Sequence, residues 1–326
     1  MKPTRQHVAE RAGVSTTTVS YVMNGRSDVS IPKHTRMKVM KAASDLGYRP
    51  SRTAQALVTG MSHVIALWLP LLNSTYFSEI THLMHERMAA DEFDLVVTEY
   101  VHQRPHIGGM LGDIADGLMT WGRPTWSDHS AELFTRFSSR IVSFGIVPID
   151  DVHCVWIDLG PASREAVQSL IEDGRKRIAF FTTALNSELQ EIRNSTYRNV
   201  LAEAGLPARL EDFEFRTRRD AYEAAKAILV PDNRPDAMFC TNDELAITTL
   251  RAARDIGLSV PEDVAIIGCD GIEDALYQER SISTIIQPVE RMCDLAWSLM
   301  QKRLEDPSGP VEQVKLQAQF VRRQSS

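Results

Sequence analysis

The segment 15–18 places four consecutive hydroxyl side chains at the expected start of a short helix. A helix N-terminus carries free backbone N–H groups and a positive dipole, which suit phosphate oxygens. Short side chains also let a helix lie deep in the DNA major groove, where first-turn residues and those one turn later reach base edges. On the exposed side these are Thr16, Thr17, Ser20 and Tyr21. Two roles therefore stay open for the hydroxyl run, namely helix capping with β-branched filling, or contact with DNA.

Three short helices are predicted to position this segment. The first is capped by Thr4, runs to about residue 12 and ends at Gly13, because glycine tolerates the positive φ of a helix end. The second is capped by Ser15, runs to about residue 23 and ends at Asn24-Gly25. The third spans about 33–46, with apolar residues at helical spacing. Two helices joined by a tight turn and braced by a third indicate a helix-turn-helix head.

The charge distribution supports a nucleic-acid partner for this head. Residues 1–61 contain ten Lys/Arg and three Asp/Glu, a net charge of +7, whereas the whole chain carries −7 and the remainder therefore −14. A small basic head on a large acidic body is typical of a DNA reader with a separate second module. The alternative interpretation is a basic tail that serves only solubility.

Beyond the head, strand-like apolar runs alternate with helical stretches. Strands are predicted at 64–69, 93–98, 117–120, 141–144, 155–157, 177–181, 236–240 and 264–268, and helices at 80–89, 162–173 and 195–204. Repeated β-α units imply an α/β fold with two parallel sheets flanked by helices. Ligands of such sheets bind at the carboxyl ends of the strands, and two facing lobes can close around a ligand by hinge motion.

Other chemistry is predicted to be absent. His82 and His85, and likewise His102 and His106, have helical spacing but lack an H-E-x-x-H frame, so surface histidines are expected and no metal or cofactor is predicted. The sequence contains no G-x-S-x-G elbow and no P-loop, which argues against an enzyme.

The cellular compartment is predicted from cysteines and apolar runs. The four cysteines are scattered without a C-x-x-C pair, and no segment resembles a signal peptide. The apolar stretch 64–72 is much shorter than the roughly 20 residues of a membrane span. These features predict a cytoplasmic protein with reduced thiols that does not enter a membrane.

The head carries a long, ordered motif that resembles a known family. The segment VAERAGVSTTTVSYVMNG at 8–25, with Thr35-Arg36, Ala42-Ala43 and Leu46-Gly47-Tyr48-Arg49-Pro50, is similar to the signature of the LacI-type transcription regulators. Similar segments of the second half are 177–180, 193–205, 241–246, 257–264, 267–270 and 284–288.

The resemblance implies a domain plan. It gives a helix-turn-helix domain at 1–48, a hinge at 49–61 and a two-lobed, periplasmic-binding-protein-like domain for effector binding and dimerisation at 62–326. The N-lobe would comprise about 62–159 and 289–315, and the C-lobe about 160–288 and 316–326.

The resemblance also implies roles in DNA binding. Thr16, Thr17 and Tyr21 would read bases, although many members carry Arg in place of Tyr21. Contacts with phosphates or with neighbouring DNA groups are implied for Thr4, Ser15, Ser20, Asn24, Thr35 and Tyr48.

The segment 50–60 is either a plain linker or a hinge helix that folds on DNA. It resembles the family's hinge helix, which would place Leu57 as an apolar wedge in a minor-groove base step. A segment that folds only on DNA can act as a switch.

The effector pocket implied by the resemblance lies between the lobes. Its residues would be Tyr76, Phe77, Arg193, Arg216, Asn242, Asp270 and Gln287. Asn242 can also be a helix N-cap, and Asp270 before Gly271 can be a turn residue.

Several positions depart from the family pattern. Ser74-Thr75 replaces a common Asn-Pro, Thr196 a usual Gly, and Gly145 a frequent ligand-contacting Asp. Arg216 and Arg218-Arg219 stand where an aromatic contact is common. These arginines either favour an anionic effector such as a sugar phosphate or form a solvated surface.

Together these features predict a transcription regulator, most often a repressor in this family, that binds palindromic double-stranded DNA as a homodimer. A sugar or sugar derivative is the expected effector, and no tetramer-forming heptad tail follows residues 320–323. The alternatives are a solute-binding protein and an enzyme on a doubly wound fold.

Overall fold

The computed structural model describes residues 3–23, 29–48, 60–99, 114–122, 137, 139–183, 191–215 and 217–326. The chain divides into two compact units, Met1–His63 and Val64–Ser326. The division falls after His63, where the sequence analysis placed it after residue 61.

The first unit contains the three expected helices. They are α1 (Arg5–Ala12), α2 (Thr16–Met23) and α3 (Lys33–Leu46). Val8, Val19 and Val39, one from each helix, are fully buried against one another in a small apolar core. These helices confirm the helix-turn-helix head that hydrophobic spacing predicted.

Local capping fixes the start of the first two helices. The Thr4 hydroxyl accepts a hydrogen bond from the His7 backbone N–H at 3.4 Å, and the His7 ring accepts one from the Thr4 N–H at 3.2 Å. The Ser15 hydroxyl accepts from the Thr18 N–H at 3.1 Å. Gly13 ends α1 with φ of 67°, a left-handed conformation that favours glycine.

The second unit is built on two six-stranded sheets. The first sheet, entirely parallel, has the order β11-β5-β4-β3-β1-β2. Its strands are β1 (Val64–Leu69), β2 (Asp94–Glu99), β3 (Gly117–Trp121), β4 (Ile141–Gly145), β5 (His153–Asp158) and β11 (Gln313–Gln317).

The second sheet has the order β12-β10-β9-β8-β6-β7. Its strands are β6 (Ile178–Thr183), β7 (Arg209–Phe213), β8 (Ala237–Cys240), β9 (Ala265–Asp270), β10 (Ser283–Ile286) and β12 (Gln319–Val321). Among the strands that the structure describes in this sheet, β12 alone pairs antiparallel. We call the two halves built on these sheets the N-lobe and the C-lobe, and they confirm the expected two-sheet α/β fold.

Helices cover both sheets, so that most strands are buried on both faces. In chain order they are α4 (Thr75–Ala90), α5 (Gly160–Glu172), α6 (Ile192–Glu203), α7 (Arg218–Leu229), α8 (Asp243–Asp255), α9 (Glu273–Leu276) and α10 (Val289–Glu305). The helix α10 packs on α4 and on β3 to β5, and therefore belongs to the N-lobe.

The last crossover between the lobes lies close to the expected boundary. β11 pairs with β5 as far as Gln317, and β12 enters the other sheet at Gln319. The chain therefore changes lobe at Ala318, two to three residues beyond the expected 315–316 boundary. Backbone pairing across the sheet, which has no local signature, sets this point.

The start of α4 lies further from its predicted position than the lobe boundary does. The helix expected at 80–89 begins at Thr75. Ser74 occupies the N-cap position without a side-chain cap bond, and Glu244 from the C-lobe accepts the Thr75 N–H instead. A helix start that is satisfied by a distant carboxylate leaves no local cap to read.

Candidate DNA-binding helix and ligand cleft

The helix α2 presents hydroxyl side chains on the side opposite its buried face. Val19 and Val22 are buried, whereas Thr16 and Thr17 are exposed at its first turn. Ser20 and Tyr21 are half-buried. The first turn of α2 is therefore accessible to a partner, as groove reading requires.

Ser15 and Thr18 take up the capping role left open for the hydroxyl run. Their hydroxyl oxygens lie 2.9 Å apart, and the Ser15 oxygen also accepts the Thr18 N–H. Ser15, Thr16 and Thr17 are all exposed, and of these Thr16 and Thr17 take no part in the cap.

The other DNA-binding candidates differ in their exposure and contacts. Thr4 is exposed within its capping box, and the Thr35 hydroxyl lies 3.2 Å from the His34 ring. Tyr48 packs against the head core. Asn24 and Leu57 lie outside the described residues.

A hydrogen-bonded chain joins the two lobes at the cleft. The Tyr76 hydroxyl, on α4, donates to the Gln287 amide oxygen at 2.9 Å. The Gln287 amide nitrogen donates to the Asp270 carboxylate at 2.8 Å. The exposed fraction is only 3% for Tyr76 and 5% for Gln287. Three residues that the family resemblance assigned to the pocket therefore meet in one place.

Asp270 holds its carboxylate in the cleft from an unusual backbone conformation. Its φ is 122°, and Gly271 follows with φ of 80°. A Cβ at Gly271 would lie 2.9 Å from the Ile286 Cα, so only glycine fits this turn. Such strain persists only where the surroundings fix it, and it is common at ligand sites. The turn and cleft roles of Asp270 are thus compatible.

Arg193, at the start of α6, is buried and already paired. Its Nε donates to Glu191 at 2.7 Å, and its Nη1 donates to the Thr241 carbonyl oxygen. Burial is the largest single influence and disfavours the charged guanidinium, but Glu191, Cys269 and Asp270 together outweigh it, so that the pKa of Arg193 is raised. The Glu191 carboxylate also caps α6 by accepting from the N–H groups of Arg193 and Asn194.

An aromatic wall completes the N-lobe side of the cleft. Trp121 meets Tyr76, Phe77 and Phe144 edge to face, with ring centroids 5.1–5.8 Å apart. A Cβ on Gly145, where φ is 140°, would lie 3.2 Å from the Trp121 indole. The indole therefore covers the place where the family commonly has an aspartate.

Trp121 was not among the expected pocket residues, although it contacts two of them, Tyr76 and Phe77. It is the last residue of β3 and is only half-buried. Its place at the carboxyl end of a parallel strand was the available signal.

Asn242 and Asp243 anchor the start of α8. The Asn242 side chain accepts from the Leu245 N–H at 2.8 Å and so acts as the helix N-cap. Asp243 accepts from the N–H groups of Gly271 and Ile272 and from the Thr284 hydroxyl. Burial raises the pKa of Asp243 to about 6. Asp243 thereby holds the turn that carries Asp270.

The three arginines between residues 216 and 219 differ in what the structure shows of them. Arg216 lies outside the described residues, and Arg219 is exposed. Arg218 is exposed too, and its Nη2 donates to Glu244 at 3.0 Å. Arg193 and Arg218 therefore both already face carboxylates.

Burial also shapes the acid–base character of the cleft. It raises the pKa of Asp270 well above its ordinary range, and the neighbouring Asp243 carboxylate raises it further. Burial likewise raises the pKa of Tyr76, which stays a hydroxyl donor at neutral pH.

Family models match both units of the chain. Residues 4–51 match the bacterial regulatory proteins of the lacI family, and residues 167–326 match the periplasmic binding protein-like domain. The chain belongs to the LacI family. It is therefore a DNA-binding transcription regulator with an effector-binding domain, and not an enzyme.

Relatives in this family cover the whole chain. It is 27% identical to catabolite control protein A of Priestia megaterium, with all of both chains covered. It is 29% identical to the HTH-type transcriptional repressor PurR of Vibrio campbellii, covering 98% of this chain and 97% of that one.

Solved structures of this family share the fold. The transcriptional regulator CelR–cellobiose complex is 27% identical, with a TM-score of 0.69 and coverage of 99% and 100%. A LacI-family regulator from Silicibacter pomeroyi is 24% identical, with a TM-score of 0.84 and 99% of both chains covered.

The structure adds two negative findings about the described residues. No described helix is both long and apolar enough to cross a bilayer. Within the same ranges, His, Cys, Asp and Glu side chains do not gather into groups of three or more that could hold a metal ion.

Proposed function

We propose that this LacI-family regulator represses transcription as a homodimer on a palindromic operator, under the control of a neutral sugar or sugar derivative bound in the cleft. The exposed first turn of α2, with Thr16 and Thr17 free of the capping role, is the observation that carries the DNA-binding part. A single head reaches only a half-site, so two-fold symmetric DNA favours two copies. Because its target is chromosomal DNA, we place the protein in the cytoplasm.

The DNA-binding roles of individual residues are part of this proposal. Thr16, Thr17 and Tyr21 read base edges from α2, while Thr4, Ser15, Ser20 and Thr35 contact or position the phosphate backbone. Asn24, Tyr48 and Leu57 keep the roles that the family resemblance gave them.

The effector class follows from the chemistry of the cleft. Tyr76, Phe77 and Trp121 offer aromatic surface, and the Tyr76–Gln287–Asp270 chain offers donors and acceptors suited to hydroxyl groups. Arg193 and Arg218 are both paired with carboxylates. An additional anionic group would therefore meet neutralised cations, and an uncharged polyol with apolar ring faces fits better. The CelR relative was solved with cellobiose, a ligand of this kind.

Selection of bound duplexes from a random pool tests the DNA-binding part. The purified full chain should enrich one palindromic sequence, and that sequence should then compete against bulk DNA in a gel shift. Loss of any preference for palindromic duplexes, across all effectors tried, would contradict the proposal and would favour the solute-binding alternative.

A thermal-shift panel tests the effector class. It should pair each neutral sugar, cellobiose among them, with phosphorylated and acidic counterparts. Neutral sugars are expected to raise the melting temperature of the full chain and to change its affinity for the selected operator. Stabilisation by the phosphorylated sugars alone would restore the anionic-effector interpretation of the Arg216–Arg219 segment.

A further inference from the structure

A single carboxylate oxygen connects the two lobes at the edge of the cleft. The Glu244 Oε1 atom, on α8 of the C-lobe, accepts the Thr75 backbone N–H of the N-lobe helix α4 at 3.0 Å. The same oxygen accepts from Arg218 Nη2 of α7 at 3.0 Å. Glu244 therefore ties α4 to two C-lobe helices.

The N-terminus of α4 lacks a local side-chain cap, so the Glu244 carboxylate takes the place of one. Ser74, at the N-cap position, makes no side-chain cap bond. The first turn of a helix has free N–H groups and a positive dipole end, both of which favour a negative charge. Glu244 supplies that charge from the other lobe, and its side chain is only 19% exposed, so water screens the interaction little.

The adjacent residue of α4 makes the second bridge. Tyr76 reaches Gln287, which in turn donates to Asp270 at the end of β9. Successive residues of one helical turn thus bind the C-lobe side of the cleft through two different sets of partners. Opening the cleft would break both contacts together, because both depend on where the first turn of α4 lies.

We propose that Glu244 is a positioning residue that holds the two lobes together when no effector is bound. In this arrangement an effector enters a cleft whose lobes already contact each other. Its effect on DNA binding then depends on whether it keeps or displaces the contact between Glu244 and α4. The inference concerns the same cleft as the proposed function, but it does not depend on the identity of the effector.

Interlobe distances in the effector-free full chain test this role. Nitroxide labels are placed on introduced cysteines at the exposed positions His85 of α4 and Glu223 of α7, while the four native cysteines are buried. Labelled protein is diluted into an excess of unlabelled protein, so that a single protomer of each assembly carries the pair. Double electron–electron resonance then reports the fraction of open clefts.

The variants separate the carboxylate from its partners. Glu244→Ala removes the bridge, Glu244→Gln keeps an acceptor oxygen but removes the charge, and Arg218→Ala leaves the bond to α4 intact. Glu262→Ala is the matched control, because Glu262 is an exposed C-lobe carboxylate in the segment before β9.

Wild type, Arg218→Ala and Glu262→Ala should show mainly the short distance. Glu244→Ala should increase the ratio of open to closed clefts by about five-fold, and Glu244→Gln by less. Circular dichroism and melting curves establish whether each variant is folded. If Glu244→Ala does not fold, the near-isosteric Glu244→Gln variant is used for the test in its place. A mainly open wild type, or Glu244 variants with the wild-type distribution, would overturn the inference. Neither result bears on DNA or sugar binding, which are measured separately.

Discussion

The head and the cleft assemble their candidate sites in opposite ways. In the head, one eight-residue helix carries the base-reading candidates, and two of them, Thr16 and Thr17, are exposed. In the cleft, Tyr76 and Gln287 form a direct hydrogen bond although 211 residues separate them. A surface that reads another molecule can be built locally, whereas a cleft between lobes requires residues from distant parts of the chain.

The cleft and the head also differ in how strongly their polar groups depend on protein partners. The cationic Arg193 is 6% exposed and bound on two sides, so changes around it propagate to its partners. Exposed hydroxyls on α2 have water as an alternative partner, and changes there should stay local. This contrast predicts large, non-additive effects in the cleft and small, additive effects in the head.

The largest effect is expected at the Arg193–Glu191 pair. Removing one partner leaves the other buried and unpaired, which costs about 3–5 kcal/mol. Arg193→Ala and Glu191→Ala should each lower the free energy of unfolding of the second unit by amounts of this order in urea titrations. The double variant should lose much less than the sum of the two. If the losses of unfolding free energy in the two single variants add up in the double variant, the proposed contrast between cleft and head is wrong. The melting of the head should stay unchanged in all three variants and is the internal control.

A pH dependence follows from Asp243. Its folded pKa of about 6 exceeds the ordinary value of 3.8. The folded state therefore binds its proton more tightly than the unfolded state does, and this group's contribution to stability falls as pH rises from about 4 to about 6. At about 1.4 kcal/mol per pH unit, the loss is about 3 kcal/mol.

The matched variant for this test is Asp243→Asn. Its amide oxygen can face the N–H groups of Gly271 and Ile272 while its NH₂ group faces the Thr284 hydroxyl. The wild type should lose about 3 kcal/mol of unfolding free energy relative to this variant across that pH range. A constant difference between the two proteins would show that Asp243 is not perturbed.

A smaller effect is expected on the reading helix. Thr17→Ala should weaken binding to the selected operator by about 1–3 kcal/mol per head, as loss of a base contact does, without changing the stability of either unit. Ser44→Ala, at an exposed position of α3, is the control. If Thr16→Ala and Thr17→Ala both left operator affinity at the wild-type level, α2 would not be the reading helix.

The smallest effect tests the local caps. Thr4→Ala removes a cap worth about 1 kcal/mol, whereas Thr4→Ser keeps the hydroxyl. Amide exchange of Arg5–Ala12 in the full chain should therefore quicken in Thr4→Ala alone. Faster exchange in the cleft segments as well would show that the two units are coupled more tightly than the comparison implies.

Elements with strong local signals were predictable. α3 and β1 have the expected bounds, and α2 begins one residue after its predicted cap, Ser15. Apolar residues at helical spacing and capping residues specify such elements within one or two turns. The segments of β7, β10, β11 and β12 received no prediction from their local pattern, because they are short and sit at positions that pairing with other strands defines.

The cleft was predictable only as a set of residues that resemble the family's pocket. The structure brings Tyr76, Phe77, Arg193, Asp270 and Gln287 to one region, and their binding roles stay predictions. Trp121 was not among the predicted pocket residues, because a tryptophan at a strand end has no local signal that separates a pocket residue from a core residue. Its packing against Tyr76 and over Gly145 exists only once β1, β3 and β4 are paired.

The sequence by itself determined the head and the alternation of strands and helices, because capping and side-chain periodicity act between residues three or four positions apart. Tertiary structure decided where α4 begins, where the chain crosses back between lobes, and which side chains share the cleft. These outcomes depend on contacts such as the hydrogen bond from Thr75 to Glu244, which lie 169 residues apart. The sequence around either residue does not indicate which residue it will contact.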